Sequence, residues 1–367
     1  MRSIIKIILA GALAALMLTL PARALPADSP DPAELLAEGL LSCHESIDLS
    51  ACWLPASELG RIYADLLHSR PELFHVAPRL SFISRETGVG ESATRVVEAV
   101  YPVYTLTGEA LTAARTLYRD TVTALLHEMD LTFGGTSPTE AETVLYIHDL
   151  LADRYAYDIR ADAPDTSAEA NTDAYTLFRD GRGVCQAYAL AFIALARGAG
   201  LEADFVASEA MNHAWNHVRV DGVWYHVDVT RDDPIPASPG SEQVNHTRLL
   251  RSDEGMNSLG YRGYACTAGH ACTDARFESE GEAALAGFSS ALTVTDGGWL
   301  GTTSEGAPAA VTVGKEGIST GIPGDMDGDQ AVTPADLLMV YDQSLPDTWR
   351  DWIRRELVRI PAKTEQG

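Results

Sequence analysis

The spacing of apolar residues changes several times along the chain, and each change marks a predicted element. Apolar positions recur every three to four residues in helices predicted to begin at Pro32 and to cover residues 58–68, 108–130, 137–155 and 173–178. Alternation of apolar and polar residues over 80–84 and 95–104 predicts a pair of strands. Residues 137–140, Ser-Pro-Thr-Glu, have the composition of a capping box, with proline at the first helical position.

An apolar stretch, VCQAYALAFIALAR, occupies residues 184–197. Its apolar side chains cover nearly the whole circumference of a helix, which predicts a helix buried on all sides. Gly198 and Gly200 are expected to end this helix, and residues 203–207 are predicted to form the strand that follows.

A β-hairpin is predicted over residues 213–229, with Asp221-Gly222 as its two-residue turn. One face is mostly apolar and is expected to pack on the core: Ala214, Asn216, Val218, Val220, Val223, Tyr225, Val227 and Val229. The other face gathers polar and aromatic residues: His213, Trp215, His217, Arg219, Trp224, His226, Asp228 and Thr230. Asp228 is diagonal to both His213 and His217, within side-chain reach of either.

Composition narrows the class of protein. At ~150 residues per domain, a chain of 367 residues predicts two or three units. Hydrophobic residues make up 46% of the chain, enough to form a core, which argues against a largely disordered protein. The formal net charge of −25 argues against a nucleic-acid partner, since binding to phosphates requires a basic surface.

The N-terminal residues have the pattern of a secretory signal peptide. Arg2 and Lys6 supply a positive segment, an apolar run follows from Ile7 to Leu20, and residues 22–24 form a small-x-small cleavage site. A membrane anchor is the alternative, but the run is shorter than the roughly 20 residues that a spanning helix needs. We therefore predict cleavage after residue 24, a secreted protein and no stable membrane insertion.

Export changes the interpretation of the five cysteines, since disulfides persist outside the cytosol. The simplest partition pairs Cys43 with Cys52 and Cys266 with Cys272, each within a short loop, and leaves Cys185 unpaired. Connectivity does not follow from sequence alone. A zinc site that uses His44 and His270 is the alternative, but its spacing matches no metal template well.

Cys185 lies in the first turn of the predicted buried helix, where the helix dipole favours a thiolate, the nucleophilic form of cysteine. A histidine to exchange its proton and a carboxylate to orient the imidazole would complete a nucleophilic triad. The hairpin supplies Asp228 and leaves His213 and His217 as alternatives for the histidine. A buried, inert cysteine beside an aromatic hairpin is the structural alternative.

Three linked segments carry a resemblance to a known family: GVCQAYA at 183–189, HAWN at 213–216 and WYHVDVT at 224–230. In these segments the chain resembles the transglutaminase-like superfamily, whose core is papain-like. Residues 147–158 extend the likeness, and residues 70–74, RPELF, look like a segment found before the core in secreted bacterial members. The resemblance spans about residues 59–260 and is specific for the superfamily, not for the reaction.

The resemblance implies roles for individual residues. Cys185 would be the nucleophile, His213 the proton-transfer group and Asp228 the carboxylate, so the resemblance selects His213 over His217. His217 and His226 then become flanking residues, and Trp215 is expected to pack beside the triad. The backbone N–H of Cys185 would be one hydrogen-bond donor to the oxyanion, and the sequence does not identify the second donor.

The implied reaction is acyl transfer at a peptide or side-chain amide, with no cofactor for the chemical step. Water would resolve the thioester in a peptidase or amidase, and an amine such as lysine would resolve it in a crosslinking transglutaminase. Hydrolysis is favoured, since secreted bacterial members of this superfamily often look like peptidases. A non-catalytic binding module that keeps the fold is the alternative from another class.

An acidic loop near the C-terminus places oxygen ligands at the positions that surround Ca²⁺. The predicted calcium ligands are Asp325, Asp327, Asp329, Ala331 (by its carbonyl), Thr333 and Asp336. The loop lacks the glycine and glutamate of a full EF-hand and resembles one dockerin repeat, of which a dockerin carries two. The resemblance implies a structural Ca²⁺ and, as a weaker hypothesis, a cohesin-type scaffold as partner beside a protein or peptide substrate.

Together these features predict an α+β fold. A papain-like core would pack the buried nucleophile helix on an antiparallel sheet, after a mixed α/β region and before a small calcium-binding unit. The predicted boundaries are a signal peptide at 1–24, a mixed helix and strand region at 25–135, a catalytic core at 136–275, a β-rich unit or linker at 276–322, a dockerin-like loop and helix at 323–344 and an amphipathic tail at 345–367.

Overall fold

A computed structural model describes residues 3–8, 29–88, 93–159, 171–233, 244–266, 269–278, 292–295, 298–302, 308–315, 317–320 and 349. The helices are α1 Pro32–Leu41, α2 Ala56–Ser69, α3 Gly108–Thr132, α4 Glu140–Arg154, α5 Ala174–Asp180, α6 Cys185–Gly198, α7 Val229–Asp232 and α8 Asp253–Ser258. The strands are β1 Ser3–Ile8, β2 Ile47–Asp48, β3 Val76–Thr87, β4 Thr94–Tyr104, β5 Ala156–Tyr157, β6 Arg182–Gly183, β7 Ala203–Ser208, β8 His213–Val220, β9 Val223–Val227, β10 Tyr264–Cys266, β11 Thr293–Thr295, β12 Gly298–Thr302, β13 Pro308–Gly314 and β14 Gly317–Thr320.

The N-terminal part packs helices α1 and α2 against a four-stranded sheet of order β1-β3-β4-β2. The predicted strand pair is present as β3 and β4, each longer than its alternating run. Strand β1, antiparallel to β3, lies inside the predicted signal peptide. Apolar residues of α1, α2 and β3 form a separate hydrophobic cluster, and the Tyr63 hydroxyl donates to the Ala77 carbonyl at 2.9 Å.

The central part forms around helix α6, which is buried along most of its length, as its apolar circumference predicts. Helices α3, α4 and α5 and strands β7 and β8 all contact it. The sheet has the order β10-β7-β8-β9 and is antiparallel throughout. This packing fixes the first turn of α6 beside the start of β8.

The predicted hairpin register is confirmed. Asp221 and Gly222 form the turn, with Val220 paired to Val223 and His217 to His226. The apolar face packs into the core that surrounds α6. Both turn residues have positive φ, which explains the Asp-Gly sequence.

A third antiparallel sheet, β11-β12-β13-β14, lies within the segment predicted as a β-rich unit or linker. Its apolar residues Trp299 and Val311 belong to the same hydrophobic core as α6. The Trp299 ring packs edge-on to Phe133 at 5.7 Å, and its indole N–H donates to Glu142 at 3.1 Å. This sheet is therefore packed on the core that surrounds α6.

The capping box of α4 is present, but two residues later than predicted. Thr139, not Ser137, is the N-cap: its hydroxyl accepts from the Glu142 N–H at 3.2 Å, and the Glu142 carboxylate accepts from the Thr139 N–H at 2.8 Å. Both Ser137 and Thr139 are followed three residues later by a glutamate, Glu140 and Glu142 respectively, so the sequence alone fits either start. The bond from Trp299 holds Glu142 in place, a contact that local sequence does not reveal.

The structure forms neither of the two predicted disulfides. The Cys43 thiol lies 3.8 Å from the Arg115 guanidinium, whereas Cys52 is enclosed by the N-terminal hydrophobic cluster, so the two side chains have different surroundings. Cys272 is a buried thiol whose pKa is raised by burial and by the neighbouring Asp253 and Cys266. In the described part of the chain, no helix is long and apolar enough to cross a membrane.

Candidate active site

A glycine whose small size is essential lies two residues before the first residue of α6. Gly183 ends β6, and a Cβ placed on it would lie 2.7 Å from the Ala187 Cβ, closer than side chains approach one another. Glycine therefore allows the chain to pass under the first turn of α6. The Gly183 carbonyl accepts from the Asp158 N–H at 2.9 Å, which ties this loop to the end of β5.

Cys185 is the first residue of α6 and, like Gln186, is partly exposed, whereas residues 187–193 are buried. The N–H groups of Cys185 and Gln186 lie in the first turn, where an α-helix offers them no internal acceptor. These N–H groups point out of the N-terminal end of the helix, where the helix dipole stabilises negative charge. A developing oxyanion beside Cys185 would meet donors that need no rearrangement.

His213 is positioned by the strand order. It is the first residue of β8, follows Asn212 in the left-handed conformation, and pairs with Ser208 across β7. Its Nε2 lies 2.6 Å from an Asp228 carboxylate oxygen. The Cys185 side chain is close enough to the ring to contribute to its raised pKa.

Asp228 ends the hairpin and is fully buried. One carboxylate oxygen caps helix α7, accepting from the Arg231 N–H at 3.2 Å. The other accepts from His213 and from the Tyr261 hydroxyl. Burial alone would raise the pKa of Asp228, but the charge of His213 and these hydrogen bonds outweigh it and hold the pKa below its ordinary value. The carboxylate is therefore ionised at neutral pH.

The pKa of His213 moves in the opposite direction. Burial disfavours the imidazolium, but the charge and hydrogen bond of Asp228, together with those of Cys185, outweigh burial and raise the pKa to about 9. His213 is consequently protonated at neutral pH. An imidazolium next to a helix N-terminus is the environment in which a cysteine becomes a nucleophile.

The polar face of the hairpin is covered, not half-exposed as an isolated hairpin would be. Trp215 is buried with Val206, Met256 and Tyr261, because α8 and the residues after it pack over this face. The Trp215 ring stacks on His213 with centroids 5.6 Å apart. The indole N–H of Trp215 donates to His226 at 2.9 Å. This hydrogen bond fixes the orientation of the indole ring that stacks on His213.

His217 does not reach Asp228, so the structure removes the ambiguity that the hairpin pattern left. Its Nε2 lies 3.1 Å from His226 Nδ1, deep under the covered face. Burial, followed by the neighbouring His226, lowers the pKa of His217 to about 3. His270, of the alternative zinc site, instead stacks on Trp224 and contacts Asp204 at 2.9 Å.

Tyr261 is a site residue that sequence reasoning missed. It lies 33 positions beyond Asp228, outside any recognised motif, and reaches the carboxylate only because the chain after α8 folds back over the hairpin. Its buried hydroxyl has a raised pKa, caused by burial and then by the charge of Asp228, so it acts as a donor. Local sequence pattern offers no signal for this contact.

A second histidine–aspartate cluster lies near the site but outside it. His148 Nδ1 is 2.8 Å from Asp149, and its Nε2 is 3.3 Å from Asp232, the last residue of α7. His246 contacts Asp149 at 2.8 Å, and Asp232 accepts from the Arg248 N–H at 2.8 Å. This cluster ties α4 to the short helix whose N-cap is Asp228.

The structure thus brings together Cys185, His213 and Asp228. The predicted calcium ligands lie outside the described residues: Asp325, Asp327, Asp329, Ala331, Thr333 and Asp336.

Comparison with solved structures gives weak overall likenesses. A transglutaminase crystal structure is 14% identical, with 59% of this chain and 53% of that chain covered and a TM-score of 0.26. A candidate cysteine protease from Cytophaga hutchinsonii is 17% identical, with 41% and 62% covered and a TM-score of 0.24. Menin, solved with its binding site for the Mixed Lineage Leukemia protein, is 17% identical, with 60% and 37% covered and a TM-score of 0.26. In each case the alignment spans less than two thirds of the other chain.

A search of curated proteins finds no match to this sequence. The family model of the transglutaminase-like superfamily matches residues 129–229. That range runs from the end of α3 to the start of α7 and contains Cys185, His213 and Asp228. Residues 129–229 of this chain are thus similar to the core of the transglutaminase-like superfamily.

Proposed function

We propose that this protein is a secreted cysteine enzyme that transfers acyl groups from peptide or side-chain amides, with water as the usual acceptor. One observation carries the proposal: the His213 ring is hydrogen-bonded to the buried Asp228 carboxylate at 2.6 Å, and Cys185, the first residue of α6, is close enough to act on the same ring. Secretion is supported by the signal-peptide pattern of residues 1–24.

The chemistry follows from the proton positions. The Cys185 sulfur attacks the amide carbonyl carbon, and the oxyanion is stabilised by the N–H groups at the start of α6. His213 gives its proton to the leaving nitrogen as the C–N bond breaks, which leaves a thioester and a neutral imidazole. Water then attacks the thioester, His213 takes its proton, and the sulfur leaves as the carboxylic acid forms.

The test compares the purified wild-type protein with Cys185→Ala on a peptide library, read by mass spectrometry. Fragments that the wild type produces and the variant does not would support hydrolysis. A glutamine-rich protein mixed with a fluorescent amine provides the second arm, since incorporation of the amine would identify a crosslinking enzyme. The absence of any Cys185-dependent product in both arms would favour a non-catalytic binding module and overturn the proposal.

We further propose that residues 325–336 bind a structural Ca²⁺, supported by the spacing of carboxylates in the sequence. Calcium should raise the melting temperature of the full chain relative to EDTA, because a ligand that binds only the folded state stabilises it. Asp325→Asn together with Asp329→Asn should abolish the shift. An unchanged melting temperature would contradict the site. Retention of the calcium-loaded chain on a cohesin-type scaffold tests the dockerin resemblance separately.

A further inference from the structure

Beneath the covered face of the hairpin lies a cluster of four metal-ligating side chains that the proposed reaction does not use. It consists of His217, His226, Asp253 and Cys272, and one potential ligand atom from each lies within 4.8 Å of all the others. The histidines face each other across β8 and β9, Asp253 begins α8, and Cys272 follows β10. Four separate segments of the chain therefore converge on one point.

The hydrogen bonds of this cluster leave one imidazole without a satisfactory arrangement. His226 Nδ1 accepts from the Trp215 indole N–H at 2.9 Å, so its ring proton is on Nε2, which donates to Asp253 at 3.0 Å. His217 Nε2 also lies 3.1 Å from His226 Nδ1, whose single lone pair Trp215 already uses. The other nitrogen of His217 is buried and has no hydrogen-bond partner among the described residues.

Hydrogen bonds from neighbouring groups orient the Asp253 carboxylate, as they commonly do for metal ligands. One Asp253 oxygen accepts from the Cys272 N–H at 2.8 Å, and the other accepts from the Tyr264 hydroxyl at 3.2 Å. The Asp253 N–H in turn donates to the Cys272 carbonyl at 2.7 Å, which fixes the two ligand-bearing segments together. The Asp253 side chain is 35% exposed while both histidines are buried, so an ion could enter past the carboxylate.

We propose that His217, His226, Asp253 and Cys272 form a binding site for a divalent transition metal of the zinc type. Two imidazoles, a carboxylate and a thiolate are a set that such ions accept in tetrahedral geometry. The carboxylate and the thiolate together neutralise the two positive charges. Binding forms a metal–sulfur bond in place of the Cys272 S–H bond, releases that proton to the buffer and involves no redox step.

The site is linked to the candidate active site through Trp215. A metal ion on His226 Nε2 replaces the proton now donated to Asp253, and the ring proton then resides on Nδ1. There it opposes the Trp215 indole N–H, so this hydrogen bond breaks and the indole shifts. Because Trp215 stacks on His213, bound metal is expected to lower the acyl-transfer rate, a consequence that rests on the proposed function.

The binding test uses the full chain with Cys185→Ala, so that the candidate nucleophile cannot take the metal. Titration with Co²⁺ should give one equivalent of tetrahedral absorption with a thiolate charge-transfer band, and Zn²⁺ should displace it. Adding Cys272→Ser should remove the charge-transfer band, and His217→Gln should weaken Co²⁺ binding by more than about tenfold. Cys43→Ser, in the N-terminal part, is the matched control and should bind normally.

Asp253→Asn keeps the shape of a partly exposed side chain and serves where a buried variant fails to fold. It should also weaken Co²⁺ binding. The proposal is overturned if Cys185→Ala shows no stoichiometric charge-transfer band, or if Cys272→Ser and Asp253→Asn bind Co²⁺ as tightly as their parent. These results do not depend on catalysis, so a failure here is distinct from a failure of the proposed function.

Discussion

Two buried histidine–aspartate clusters lie at the two ends of helix α7. At its N-cap, Asp228 contacts His213, and at its last residue, Asp232 contacts His148. In both histidines, carboxylates overcome the effect of burial and raise the pKa to about 9. The electrostatic signature of the two clusters is therefore the same.

Their difference lies in what the second ring nitrogen contacts. In His148 both nitrogens contact carboxylates and the ring is fully buried, so no substrate can reach it. In His213 one nitrogen contacts Asp228, and Cys185, the partly exposed first residue of α6, is close enough to contribute to the raised pKa of the ring. A raised histidine pKa thus does not by itself indicate catalysis. A nearby nucleophile distinguishes a candidate catalytic histidine from a structural one.

Removing the candidate nucleophile beside the first cluster should have a large effect on activity. Cys185→Ala should lower kcat/KM by at least about a thousandfold, because no other group forms the acyl intermediate. Its melting temperature should stay close to that of the wild type, since the side chain is partly exposed. Steady-state kinetics and thermal melts check both statements, and appreciable residual turnover would place the nucleophile elsewhere.

The complementary change acts on stability. His148→Gln should lower the free energy of unfolding by about 3–5 kcal/mol, because it leaves the buried Asp149 and Asp232 without their shared partner. Urea denaturation measures the loss. The folded fraction of the variant should retain Cys185-dependent activity, whereas loss of activity with unchanged stability would mean that this cluster takes part in catalysis.

Alkaline pH should affect both clusters in the same range. Each pKa lies above the ordinary histidine value of 6.5, so each ion pair stabilises the fold fully below about pH 6.5 and is lost as pH rises through about 9. Activity should fall over the same range, because His213 then lacks the proton for the leaving amine. In His148→Gln the alkaline fall in stability should be smaller and that in activity unchanged; an activity limb near pH 6.5 would contradict the assignment.

The smallest effect concerns the donor that only the first cluster has. Tyr261→Phe removes one hydrogen bond to the buried Asp228 carboxylate and should lower kcat/KM by about tenfold, mainly through kcat, with the fold intact. Tyr264→Phe is the matched control, because its hydroxyl binds Asp253 rather than Asp228. Equal activity of the two variants would remove Tyr261 from the positioning of Asp228.

Local patterns in the sequence predicted much of this architecture. Asp221-Gly222 set the hairpin register, and the apolar run at residues 184–197 indicated the buried helix, because both features depend on neighbouring residues. Contacts between distant segments were not accessible in the same way. Tyr261 reaches Asp228, and Trp299 fixes the Glu142 cap of α4, only after the chain has folded back on itself.

The choice between His213 and His217 shows the same limit. Both are diagonal to Asp228 in an ideal hairpin, and family resemblance was needed to select one. In the structure Asp228 turns toward His213 because its other oxygen caps α7, while His217 is directed to His226. The zinc-type cluster likewise depends on Asp253 and Cys272, which no motif links to the hairpin.

Activation of Cys185 by His213 can be measured as the alkylation rate of the thiol. Iodoacetamide labelling of the wild type and His213→Gln, with reductant and at several pH values, is followed residue by residue by mass spectrometry. At neutral pH, Cys185 should be labelled at least about tenfold faster in the wild type than in His213→Gln, and faster than the other four cysteines. Equal, slow labelling of Cys185 in both proteins would contradict activation by His213.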